Sequence, residues 1–379
     1  MKKTIIDPLT SARGFAAIYV VIYHIKDRLG EFALSDYAPA LSYGWLGVDF
    51  FFILSGFILC YVYSADYAGG KFRFLDFILS RVARIYPVHL ATLLIWVGLG
   101  AWAGFLWSTD RFGVSGFVLN ILMVHAWNVL PQNTWNFPAW SISAEWLAYL
   151  FFPALMFAVT RIKNHIVINI ILVIVLILAL QAFISILPGR RFNWTYEWSM
   201  VRILCEFTAG MFLFRIYQHL KPSYVWDVVA VLAIGASVWL LIARPDLPWL
   251  QVETAVVLLT ALSVLAFACM KGAVGSLLSL APLTYLGRIS YSMYMWHAAP
   301  LFVIGISLRR NFEGELSFAQ GGLLFVVYLA TVVLGAVLLY HFVEKPARNI
   351  VRRAGSKWLG REARLEIERA EARAARAST

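Results

Sequence analysis

The chain has 379 residues, of which 61% are hydrophobic and 14% charged, with a mean hydropathy of +0.74 and a formal net charge of +11. A soluble domain carries about 25% charged residues, so a soluble globular fold is excluded. A β-barrel is excluded too, because its strands alternate apolar with polar positions whereas the apolar runs here are continuous. The positive balance needs no nucleic acid, since the basic residues fall between apolar runs and in the tail, where they face anionic lipid and fix topology.

Taken in chain order, runs of about 20 apolar residues, the length that crosses a hydrocarbon core, predict spanning helices near 9–27, 45–63, 84–106, 138–160, 166–187, 200–219, 224–243, 250–270, 283–306 and 320–343. The expectation is an all-α, polytopic membrane protein with about ten transmembrane helices. No small-residue cleavage site follows the first run, so it reads as a retained helix and not a signal peptide. The run 114–130 is shorter in apolar content and holds Asn120, His125 and Asn128. If it crossed, Arg161, Lys163 and the basic tail would fall outside. The positive-inside rule therefore makes it a re-entrant or interfacial piece and places both termini in the cytoplasm. The tail after Arg348 is rich in Ala, Glu and Arg, with Leu359, Ala363, Ile367, Ala370 and Ala374 at helical spacing, and reads as a cytoplasmic surface helix. Cys60, Cys205 and Cys269 lie far apart inside apolar runs and predict buried thiols with neither a disulfide framework nor a metal site.

Ionisable residues inside these runs are the informative ones, because each is expensive in lipid without a partner or a polar cavity. Arg13 and His24 are eleven residues apart, about 16 Å of rise and about three turns, so they share a helix face at two depths. Asp27 follows on the same side. The second helix runs back with Asp49 at the depth of His24, and the fourth crossing carries Glu145 about two turns in. His24, Asp49 and Glu145 are thus the candidate catalytic group, with Asp49 or Asp27 expected to hold the imidazole in one tautomer. The competing readings are a loop cap for Asp49 and an aromatic-belt carboxylate for Glu145.

Arg13, Arg81, Arg84 and Arg288 gather at the opposite, cytoplasmic surface, where planar guanidinium forks suit phosphate oxygens. Topology setting alone would also account for Arg81 and Arg84. A phosphate-type site at one face and a His/carboxylate site deeper in fit a donor with a phosphorylated head and a long reactive arm, the shape of an acyl coenzyme A. Trp140, Ser143 and His297 are the candidate acceptor-side residues, with Ser143 or Trp140 available to steady an oxyanion. The sequence contains no G-x-S-x-G, H-E-x-x-H, P-loop or G-x-G-x-x-G pattern, so neither a metal nor a cofactor is expected beyond the acyl-CoA co-substrate.

The Arg13-x10-His24 spacing, "GVDFFFILSGF" at 47–57, the Arg81-x2-Arg84 pair, "PAWSISAEW" at 138–146, "LGRISYSMYMWH" at 286–297 and "FVEKPAR" at 342–348 together resemble the acyltransferase-3 family of membrane O-acyltransferases, which modify bacterial surface sugars and some secondary metabolites. The resemblance runs from Leu9 to about Arg348. It implies an integral-membrane acyltransferase domain over 1–348, followed by the charged tail helix 349–379, in the bacterial cytoplasmic (inner) membrane. It also implies His24 as the catalytic histidine, with Arg13, Arg81 and Arg84 in donor binding, and transfer of an acyl group, acetyl by expectation, to a hydroxyl of a sugar or polysaccharide acceptor. His24 would then act as general base or form an acyl-histidine first. Relatives often append an extracytoplasmic esterase-like domain; with only a charged tail after the membrane part, a second transfer by a fused domain is not expected here. The rival expectation is a transporter or proton-coupled flippase for a glycan or small molecule, against which the one-sided arginine cluster and the lack of matched halves both argue.

Overall fold

A computed structural model describes residues 5–107, 109–187, 196–244, 251–312 and 314–351. In chain order its helices are α1 (Asp7–Ile25), α2 (Leu34–Tyr37), α3 (Gly47–Ala68), α4 (Phe74–Ala103), α5 (Val114–Ile121), α6 (Trp140–Arg161), α7 (Ile166–Ser185), α8 (Ser199–Tyr217), α9 (Val225–Ala243), α10 (Val252–Cys269), α11 (Ala273–Leu278), α12 (Ala281–Trp296), α13 (Ala298–Asn311) and α14 (Phe318–Leu339). Among the described residues there is no strand, only one isolated bridge between Ser223 and Met270. The protein is an all-α polytopic membrane protein. Among the described residues seven stretches are long and apolar enough to cross a bilayer: Pro39–Ala68, Phe74–Ala103, Phe137–Arg161, Ile166–Ser185, Val225–Ala243, Val252–Cys269 and Phe318–Val351. The helices α1, α8 and α12–α13 coincide with the other three expected spans but carry the polar side chains that matter below.

Lipid-facing surface follows from composition. Ile171 and Val175 on α7, Val228 and Leu232 on α9, and Leu323 and Leu334 on α14 stand exposed, an arrangement that costs free energy in water and none in hydrocarbon. The run 114–130 forms only the eight-residue α5 and then turns, with Met123 and Asn128 at positive φ. It does not span. Its polar residues Asn120 and His125 are turned into the protein, where a helix–turn segment can satisfy its backbone. One expected boundary moves: α4 begins at Phe74 and not near 84, so Arg81 and Arg84 are helical residues and not loop residues. Residues 349–351 continue the last helix, while the remainder of the expected tail helix, 352–379, lies outside the described residues.

Prolines shape the two helices that deliver the site. Pro300 cannot donate to the carbonyl of Trp296, and the helix breaks between α12 and α13 at His297. Pro346 likewise frees the carbonyl of Phe342, and the turn before it widens into a π-helical stretch over Tyr340–Glu344. That stretch aims Glu344 into the interior, where it is fully buried.

The centre of the bundle is the crossing of α3 with α8, flanked by α7 and α10, and α1 packs along α12. The α3–α8 approach is backbone on backbone. Gly56 lies against the carbonyl of Phe207, and Gly210 against that of Ile53, with no room at either position for a Cβ. Gly287 meets the carbonyl of Thr10 in the same way and brings α12 onto α1. Close approach through small residues is how helices gain packing energy where lipid supplies no hydrophobic drive. Gly210→Leu is therefore expected to destabilise the bundle by more than the roughly 1–3 kcal/mol of ordinary overpacking, because the obstruction is main chain and cannot rotate away. Thermal unfolding in detergent should show a clear fall in midpoint, whereas the exposed Gly235→Leu, with nothing near its Cβ, should leave it unchanged.

Candidate active site

Helix α1 carries Arg13 and His24 on one face, as their spacing requires. The His24 ring is half-buried, with its Nδ1 2.8 Å from the carbonyl oxygen of Val20 one turn back. A carbonyl only accepts, so Nδ1 carries the hydrogen and Nε2 keeps its lone pair. Around the ring stand Tyr23 at 4.9 Å, Phe137 at 5.1 Å and His297 at 4.9 Å, centroid to centroid. His297 is fully buried at the α12–α13 break and repeats the arrangement: its Nδ1 is 2.6 Å from the carbonyl of Tyr294, and its Nε2 has no partner among the described residues.

The carboxylates expected to hold His24 are engaged elsewhere. Asp49 is fully buried and takes two bonds from Arg202, Nε to Oδ1 at 2.9 Å and a terminal nitrogen to Oδ2 at 2.6 Å, with Glu206 3.6 Å from the same guanidinium. Asp27 pairs with Lys26, and its side chain is 59% exposed. The tautomer of His24 is thus set by its own helix backbone, and the expected orienting role of Asp49 is corrected to that of a buried structural ion pair.

A cavity of about 140 Å³ opens between α1, α3, α4, α6 and α12. Arg13, Arg81 and Arg84 line it together with Glu145, Ser55, Tyr149, Ser141 and Tyr294. The three arginines differ. Arg84 forms an ion pair with Glu344, whose other oxygen accepts from Ser292 Oγ at 2.8 Å, so its charge is matched within the protein. Arg81 donates to Ser80 Oγ at 3.2 Å and lies over the rings of Tyr63, Phe77 and Tyr149 at 5.7–5.9 Å. Among the described residues neither Arg81 nor Arg13 is paired with a carboxylate. Glu145 accepts from Ser55 Oγ and Tyr149 Oη, both at 2.6 Å and both on Oε1. Tyr294 connects the cavity to the imidazoles: it lines the cavity, bonds Ser141 through its hydroxyl at 2.8 Å, and places its ring 5.8 Å from that of His297.

Three expected site residues lie outside this arrangement. Arg288 is exposed and turns back on Thr284, its own residue one turn earlier, so it does not join the arginines of the cavity. Trp140 is buried edge-on against Phe52 and beneath Arg202, where it shields the Asp49 pair. Ser143 is fully buried and accepts the backbone N–H of Ala126 at 3.1 Å, anchoring the segment after α5. The acceptor and oxyanion roles expected for Trp140 and Ser143 are replaced by packing and anchoring. Residues not singled out by sequence include Ser55, Tyr294 and Glu344, each inside a recognisable motif but indistinguishable there from packing residues. Arg202 and Glu206 were legible in principle, as an i,i+4 charged pair inside an apolar run.

Comparison with known proteins covers nearly the whole of this arrangement. A family model described as an acyltransferase domain matches residues 8–341. The chain is 28% identical to the acyltransferase MdmB of Streptomyces mycarofaciens over 91% of its own length and 92% of that protein's. It is 25% identical to the O-acetyltransferase OatA of Staphylococcus aureus over 90% of its own length, but spans only 57% of that protein's. No solved structure matches the chain.

The buried Asp49–Arg202–Glu206 group allows a direct test of its structural role. Arg202→Met would leave two carboxylates in the interior without a counter-charge, and breaking a buried ion pair from one side costs about 3–5 kcal/mol. The variant is expected to give little monodisperse protein in detergent or a sharply lowered unfolding midpoint. A variant as stable as the parent would show that Asp49 does not depend on Arg202.

Proposed function

The chain belongs to the acyltransferase-3 family, and from that premise we propose that this integral-membrane O-acyltransferase takes its acyl group from a coenzyme A thioester, with His24 as the general base. The observation that carries the reading is a cavity lined by two guanidiniums that form no ion pair among the described residues and bordered by Tyr294, beyond which, through the ring of His297, stands the His24 imidazole with a free Nε2. Arginine without a carboxylate partner in an apolar protein is an unmet demand for an anion, and phosphate oxygens match its planar fork. Arg13 and Arg81 would bind the phosphates of the donor head, and the acylated arm would pass Glu145 and Tyr294 toward His24. Glu145, with Ser55 and Tyr149 holding one of its oxygens, keeps the other for an amide N–H of that arm.

The acceptor in this reading is a hydroxyl of a sugar or polysaccharide; the likeness to the O-acetyltransferase OatA supports transfer to an oxygen. A hydroxyl is a poor nucleophile at neutral pH. His24 Nε2 accepts its proton as the oxygen attacks the thioester carbon, and the tether of Nδ1 to Val20 keeps that lone pair free and aimed. With both termini in the cytoplasm of a bacterial inner membrane, Arg13 faces the pool in which coenzyme A thioesters are made, and His24 lies toward the opposite surface.

Two expectations follow. His24→Ala should remain folded and lose turnover by about 10²–10⁴-fold, the range of general-base help, with donor binding little changed. Coenzyme A release from acetyl-CoA and donor titration of the same preparation measure both, and turnover within about tenfold of the parent would reject His24 as the base. Arg13→Ala and Arg81→Ala should instead raise KM for acetyl-CoA more than they lower kcat, because phosphate contacts are made equally in ground and transition states. A fall confined to kcat would assign them to the chemistry and not to the head group.

A further inference from the structure

The reading above leaves the leaving group unattended. Attack on the thioester carbon breaks the C–S bond and puts an electron pair on sulfur, and a thiolate formed at membrane depth is costly without a proton or a counter-charge. Arg13 lies about 16 Å from His24 along α1. The titratable ring that another helix sets against His24 is His297, 4.9 Å away centroid to centroid.

Three observations give His297 more than a packing role. It is fully buried, yet its Nε2 has no hydrogen-bond partner among the described residues, and an orphaned buried nitrogen costs about 1–3 kcal/mol unless something else occupies it. Its Nδ1 is held by the carbonyl of Tyr294, so the free nitrogen is the lone-pair nitrogen, as in His24. It stands at the helix break imposed by Pro300, and its ring lies between that of Tyr294, which lines the cavity, and that of His24.

Resting on the general-base reading of His24, we infer that His297 is the proton donor to the departing sulfur, completing a two-imidazole relay. The acceptor O–H breaks, its proton goes to His24 Nε2, and the oxygen bonds the acyl carbon as the C–S bond breaks. The proton passes from His24 Nε2 to His297 Nε2 and on to sulfur. The products are an ester and a neutral thiol, with both imidazoles returned to their starting form. The order along the path matches the geometry: the arm arrives past Tyr294, on the side of His297, while the half-buried His24 remains open to the acceptor.

The test is leaving-group dependence. His297→Asn keeps a side-chain donor for the carbonyl of Tyr294 and removes Nε2; His297→Gln places an amide near the Nε2 position that cannot carry a proton. Turnover is followed with acetyl-CoA and with S-(4-nitrophenyl) thioacetate, whose thiolate is a far weaker base and leaves without help, each with a panel of methyl glycosides as acceptors. For acetyl-CoA both variants should lose about tenfold or more in kcat, at the low end of general acid–base contributions, with donor KM near that of the parent. For the nitrophenyl thioester the loss should be less than about threefold, and His24→Ala should be impaired with both donors. Removing His297 from the His24→Ala background should cost little more, since residues acting as a unit are not additive. Equal losses with both donors, a loss below about threefold with acetyl-CoA, or failure of both variants to give monodisperse protein would each overturn the assignment and leave His297 structural. Activity retained by His24→Ala would instead overturn the general-base reading, and a parent inactive with acetyl-CoA would remove the donor reading together with this one.

Discussion

The structure is organised by the cost of charge in an apolar protein. Several ionisable groups inside the bundle are matched: Asp49 by Arg202, with Glu206 3.6 Å from the same guanidinium, Glu344 by Arg84, and Asp227, at the start of α9, by the backbone N–H groups of Lys271, Gly272 and Gly275 at 2.8–3.2 Å. Matched groups hold helices in register. Arg13 and Arg81, cations without an ion pair among the described residues, line one cavity, and past Tyr294 at its border stand His297 and His24, imidazoles with free nitrogens; His89 and His125 form a second buried pair with unpartnered nitrogens. Since an intramembrane charge without a partner is functional by default, the sorting itself points to the site.

The backbone does work here that carboxylates do elsewhere. Each imidazole is fixed through Nδ1 by a carbonyl of its own helix, and among the described residues neither has an acidic partner within hydrogen-bonding reach. A carboxylate beside His24 would stabilise the imidazolium and retain the proton. A carbonyl fixes the tautomer with far less charge and leaves the proton free to move on, which suits the proposed general-base role. The two helix irregularities have the same economy. Pro300 and Pro346 each spoil one turn, and the side chains presented there, His297 and Glu344, are the ones that a regular helix would have to aim differently.

Much of the fold was legible because lipid enforces a simple rule: apolar runs of fixed length become helices, and all ten expected runs did so. That 114–130 would not form a helix of spanning length was legible too, from its polar content. Arg13, His24, Arg81, Arg84 and Glu145 were found from charge at helical spacing, and four of these five line one cavity while the fifth, His24, lies beyond it. What periodicity could not supply was azimuth between helices. Asp49 and His24 share a depth, but depth does not say that the Asp49 side chain turns to α8, where Arg202 is in reach. Arg288 failed for the same reason, since its level in the membrane was right and its direction was not. Tyr294, Ser55 and Glu344 were hidden because hydroxyls and a near-terminal glutamate carry no signal until a neighbouring helix makes a cavity of them.

The central claim, that one path joins the phosphate-binding arginines to the His24 base, is tested most directly by a cryo-electron microscopy structure with a non-hydrolysable thioether analogue of acetyl-CoA. The account predicts phosphates against Arg13 and Arg81, the arm running past Glu145 and Tyr294, and the sulfur within hydrogen-bond reach of an imidazole Nε2, about 3 Å. An analogue bound with its head away from Arg13 and Arg81, or with its sulfur outside the reach of both His24 and His297, would contradict it.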